Sequence, residues 1–137
     1  MNTTACRAIL LPGSVLPAAP AYGALVAALH ERLGDTVEAV PKDLEVYAGP
    51  TPPDDYSLDT EVDGVVRTAR ELGWDSFHLV GYSGGGASAL AVAARHPEMR
   101  ESLALLEPAM ILFLTAVVGT VILSILAAML SIYDLPI

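Results

Sequence analysis

Phe77-His78-Leu79-Val80-Gly81-Tyr82-Ser83-Gly84-Gly85-Gly86, followed by Ala87-Ser88-Ala89-Leu90-Ala91-Val92-Ala93-Ala94-Arg95, is the stretch whose reading decides the fold. It begins as a short apolar strand, turns on glycines and continues as an alanine-rich run suited to a helix. Gly81-Tyr82-Ser83-Gly84-Gly85 fits the G-x-S-x-G spacing of a nucleophile elbow. On so sharp a turn the serine is held in a strained conformation. A side chain two residues to either side would collide with the turn or the neighbouring strand, and glycine at 81 and 85 removes the collision. The helix that follows aims free N–H groups and its positive end at any negative charge forming near the serine oxygen. The plainer reading of Ser83 is a hydroxyl that only caps this helix.

Upstream, Arg7 to Leu11 reads as a buried strand feeding a loop at Pro12–Pro20. Tyr22, Leu25, Val26, Leu29 and Leu33 recur at helical spacing, which predicts a helix from about Ala21 to Leu33 stopped by Gly34. Val37 to Val40 is a second strand. Pro41 to Ser57, with four prolines and Gly49, is loop. The Asp54-Asp55 pair in it reads as a solvated turn, because no histidine or third carboxylate stands at a metal-ligand offset. A second helix is expected from Leu58 to Leu72. Its buried stripe is Leu58, Val62, Val65, Val66, Ala69 and Leu72, and Asp59, Glu61 and Asp63 suit its positive first turn. Pro97 ends the third helix near His96, and Ser102 to Leu106 is a fourth strand. Alternating strands and helices predict an α/β class with a parallel, doubly wound sheet of about four strands and three helices.

In that order, these elements resemble an α/β-hydrolase, the fold of many serine hydrolases, over about residues 5–108. Ala8-Ile9-Leu10-Leu11-Pro12-Gly13 resembles the early strand and oxyanion loop of that family, with Pro12 where a histidine is commoner. The resemblance implies a serine hydrolase of esterase type acting on a small ester or acyl substrate. It makes Ser83 the nucleophile, Gly84 N–H an oxyanion donor, and Ser14 or Val15 the second donor. The same loop also reads as an ordinary strand-to-helix connection. Glu107, at the end of the strand after the nucleophile helix, occupies a place some members use for the triad acid; the alternative is a solvated strand-end carboxylate. A rival reading takes Gly84-Gly85-Gly86-Ala87-Ser88-Ala89 as a dinucleotide fingerprint, but the strand ends near Val80 and Ser83 stands where the second glycine is required.

The base is the weak point. The histidines are His30, His78 and His96. His30 falls late in the first helix, and His78 is five residues before the turn. His96 lies about 18 Å along the third helix. Proton transfer from Ser83 needs about 2.6–3.2 Å, so the sequence predicts impaired or absent hydrolysis. A chain of 137 residues is also short for this family, which suggests a truncated domain.

Net charge is −9, and every Lys and Arg and every acid except Asp134 precede Ala109. Such acidity argues against nucleic-acid partners. The single Cys6 allows no internal disulfide, and no metal or other cofactor is expected. The start, Met1 to Ala5, lacks the basic run of a signal peptide.

Between Glu107 and Asp134 the chain carries no charge, and Ala109–Ile132 is almost wholly apolar. As a helix it would span about 36 Å, enough for a hydrocarbon core of about 30 Å. The alternative is a buried core helix. Arg95 and Arg100 precede the segment and no base follows, which places the amino-terminal domain in the cytoplasm of a single-pass membrane protein. This tail resembles the last membrane helix of type II secretion and type IV pilus inner-membrane platform proteins. The sequence therefore divides into 1–106, a truncated hydrolase-like domain, and 107–137, a membrane-type helix. A second functional reading follows: a non-catalytic membrane-anchored fragment, or a chimera of two genes.

Overall fold

The structure, a computed structural model, describes residues 5–106 and 108–133. Contacts divide the chain into two compact units, Met1–Glu107 and Pro108–Ile137.

The first unit is built on four parallel strands: β1 (Cys6–Leu11), β2 (Val37–Pro41), β3 (Phe77–Tyr82) and β4 (Arg100–Leu106). Their spatial order is β2-β1-β3-β4. Parallel neighbours need crossovers, and three helices supply them: α1 (Ala18–Leu33), α2 (Leu58–Glu71) and α3 (Gly84–Arg95). The path runs outward from β1 to β2, then returns to the other side of β1. Right-handed crossovers therefore place α1 on one face and α2 and α3 on the other. The reversal opens a crevice at the carboxyl ends of β1 and β3, the place where open α/β sheets bind ligands.

The core lies on the α2–α3 face. Alternate strand residues Ile9, Leu11, Phe77 and Leu79 are fully buried there against Val62, Val65, Val66, Ala69 and Val92. The opposite face is thinner. Of the stripe expected on α1 only Tyr22 is buried, while Leu25 and Leu33 stand about half exposed. The reason is geometric, since α1 packs chiefly on β2, at one side of the sheet.

Helix α2 departs from expectation at both ends. Leu58 and Leu72 are exposed, whereas Glu61 is buried to 1% exposure and Gly64 joins the packed face. A helix dipole does not hold Glu61. Its carboxylate accepts the N–H groups of Glu45 (2.8 Å) and Val46 (3.0 Å) and the Tyr56 hydroxyl (2.9 Å). These bonds organise a 3-10 turn, Glu45–Tyr47, inside the segment expected to be plain loop.

The second unit is α4 (Pro108–Tyr133). Within it Phe113–Ile132 has a mean hydropathy of 2.5. It is long and apolar enough to cross a membrane.

Candidate active site

The turn between β3 and α3 places Ser83 at the carboxyl end of the sheet, in the crevice beside β1. Its backbone adopts φ 51° and ψ −115°. It is the one non-glycine residue at positive φ among those described. This conformation costs of order 1–3 kcal/mol and persists only where surroundings enforce it. Ser83 N–H donates to Leu106 O (3.0 Å) and Gly86 N–H donates to Ser83 O (2.9 Å), which locks the turn to β4 and α3. The Ser83 hydroxyl makes no capping hydrogen bond to α3 and is half-buried.

The flanking glycines are dictated by contact. A Cβ on Gly81 would lie 2.5 Å from Gly85 O and 2.8 Å from the Ala89 Cβ. On Gly85 it would meet Pro12 O and lie 2.6 Å from Leu11 O. The loop after β1 thus presses directly on the start of α3. Three tethers hold that loop. Tyr22 hydroxyl donates to Leu11 O (2.8 Å), Tyr47 hydroxyl to Ser14 O (2.8 Å), and Ala18 N–H to the Asp43 carboxylate (2.6 Å). The last bond caps α1, whose own N-cap, Pro17, has no side chain to do so. Burial, with the Tyr82 phenol nearby, pushes the Tyr22 hydroxyl pKa up.

Of the two loop candidates, Ser14 is brought to the turn. A Cβ on Gly84 would collide with Ser14 Oγ and lie 3.8 Å from Ser14 N. Val15 instead stands 92% exposed. Among the described residues, the N–H groups of Ser14, Val15 and Gly84 have no protein acceptor. A cavity of about 280 Å³ opens beside them, walled by Pro12 and Ser14–Pro17 on one side and by Asp43, Leu44 and Tyr47 on the other. Ser83 does not line it.

No described imidazole is bonded to Ser83. His78 is held near the opposite end of β3, where its Nδ1 meets Ser102 Oγ at 2.7 Å and its Nε2 lies 3.2 Å from the Glu101 carboxylate. The ladder makes this possible. Phe77 pairs with Arg100 but His78 with Ser102, and the irregularity lets two consecutive β4 side chains reach one ring. His96, just past α3, pairs with Glu98 at 3.1 Å. Its own backbone hydrogen bond, then the His96 ring, holds the Glu98 carboxyl below the usual range. His30 is exposed on α1. Glu107 lies outside the described residues.

Sequence reasoning missed Tyr22, Asp43, Tyr47 and Glu61 as organisers of this region. The legible signal was position: Asp43 and Tyr47 follow β2 at the carboxyl edge of the sheet, the ligand edge of such folds.

Fold and geometry together define a partial α/β-hydrolase fold, and solved structures of that class match it. No family model and no curated protein matches the chain. A meta-cleavage product hydrolase from Pseudomonas fluorescens superposes with TM-score 0.61 at 26% identity, over 73% of this chain and 37% of its own. A membrane phospholipase A described as a bacterial virulence factor gives 0.57 at 29%, over 74% and 32%. An epoxide hydrolase from an endophytic Streptomyces gives 0.63 at 20%, over 74% and 30%. This chain therefore spans about a third of the length of these proteins.

Proposed function

We propose that this chain is a member of the α/β-hydrolase family in which Ser83 is the nucleophile of a G-x-S-x-G elbow. It acts on small ester or acyl substrates. The observation that carries the reading is the positive φ of Ser83 at a strand-to-helix turn, a strain a structural serine has no need of. Gly84 N–H and Ser14 N–H are the donors to a developing oxyanion, with Val15 N–H the alternative, and Glu107 is the candidate acid. Phe113–Ile132 anchors the protein as a single span, with the folded unit on the cytoplasmic side.

The positions of His30, exposed on α1, and of His78 and His96, paired with other side chains, favour a second reading, a non-catalytic membrane-anchored protein or a chimera with a secretion-platform-type helix. With none of these rings at Ser83, an oxyanion site alone retains about 10³–10⁴-fold of the acceleration seen in related triads. A fluorophosphonate probe separates the readings. Labelling of the full chain in detergent that vanishes in Ser83→Ala supports the nucleophile. Folded protein that stays unlabelled supports the second reading.

A further inference from the structure

The turn Glu45–Tyr47 is clamped to α2 from two sides. From below, the buried Glu61 carboxylate takes the N–H groups of Glu45 and Val46. From outside, Arg67 Nη2 (2.7 Å) and Lys42 Nζ (2.9 Å) hold the Glu45 carboxylate. Gly64 lets that side chain lie flat on the helix, since a Cβ there would sit 2.5 Å from Glu45 Cγ. A turn held this firmly is a fixed support for whatever its last residue carries. That residue is Tyr47, and its hydroxyl donates to Ser14 O.

Ser14 is then held at both ends. Its nitrogen and Oγ face Gly84, and its carbonyl is pinned across the cavity. Peptide units are planar, so the pinned Ser14 carbonyl fixes the plane that also carries Val15 N–H, and it restricts the ψ of Ser14, whose own N–H is placed by the contact with Gly84. The loop carries Pro12, Gly13 and Pro17 and has no secondary structure of its own to set that orientation.

We propose that Tyr47 is a positioning residue that, standing on the α2-anchored turn, holds Ser14 beside Gly84 and so keeps its N–H directed at the Ser83 oxygen. The catalytic consequence rests on the reading of Ser83 as nucleophile; the restraint on the loop does not. Tyr47→Phe is the discriminating variant, because it deletes the hydroxyl and keeps the ring that walls the cavity.

The experiment uses the full chain in detergent and has two readouts, backbone order parameters of the Ser14 and Val15 amides from nitrogen-15 relaxation, and fluorophosphonate labelling resolved into probe affinity and maximal inactivation rate. The lost hydrogen bond predicts lower order parameters at both amides in Tyr47→Phe. Losing a bond of this kind should lower the inactivation rate roughly 2- to 10-fold while probe affinity is unchanged. Unchanged order parameters overturn the proposal whatever the labelling does. Lower order parameters with an unchanged inactivation rate overturn it as well. Lower order parameters with no label on either protein leave the restraint standing and remove the nucleophile reading instead.

Discussion

The carboxylate of Glu61 accepts the phenol of Tyr56 at 2.9 Å, joining the end of the long β2–α2 connection to the first turn of α2. Burial, then this hydrogen bond and the charge behind it, raise the Tyr56 pKa from 10.0 to about 12. The folded protein thus keeps a proton that the unfolded chain begins to lose near pH 10. The unfolded state binds fewer protons in that window, so stability is complete below pH 10 and declines as pH rises through about 12. Urea midpoints across pH 8–12 should fall less steeply for Tyr56→Phe than for the parent. Parallel curves would remove this coupling.

Gly81 and Gly23 should respond oppositely to the same methyl group. At Gly81 a Cβ meets Gly86 Cα at 2.7 Å, backbone that cannot yield, and Gly81→Ala should cost about 2–3 kcal/mol. At Gly23, in the middle of α1, nothing lies within 4 Å, and Gly23→Ala should add about 0.5–1 kcal/mol through helix propensity. Thermal unfolding of the two variants decides it; equal shifts would mean the β3–α3 packing is misplaced.

Ser83 should be replaceable with a gain in stability. Glycine adopts φ 51° without the Cβ conflict, so Ser83→Gly is expected to stabilise the fold by about 1 kcal/mol, while Ser83→Ala keeps the conflict. A residue whose removal strengthens the fold is one retained for another purpose. Denaturant midpoints that order Ser83→Ala above Ser83→Gly would contradict the strain.

Phe113–Ile132 should hold the protein in bilayers after an alkaline wash. A charge near the middle of the segment opposes insertion by about 2.5–3.5 kcal/mol, so Ile122→Arg should shift the protein markedly from pellet to supernatant. Equal retention of both forms would show that this helix is not what binds the membrane.

The sequence carried most of the architecture and less of the site. Glycine spacing and an apolar run made β3, the turn and α3 readable to within two residues, β3 running on to Tyr82 past the expected end near Val80, because those constraints are local. Helix α1 begins three residues before the expected Ala21, since Pro17 and Pro20 read as loop while the cap comes from Asp43, 25 positions away. Glu61 was read as a dipole partner because an acid in a first turn usually is one. Its burial depends on a turn folding back 15 and 16 residues earlier, which no periodicity records. Ser14 and Val15 were equivalent in sequence, and only the approach of Gly84 separates them.

The slip in the β3–β4 ladder has a consequence for spectroscopy. Because Glu101 and Ser102 both reach His78, that ring is parked five residues, about 16 Å of extended strand, from Ser83. The NMR signals of that ring would therefore report whether β4 is zipped in register, a built-in gauge of fraying that is blind to ligands at the far rim.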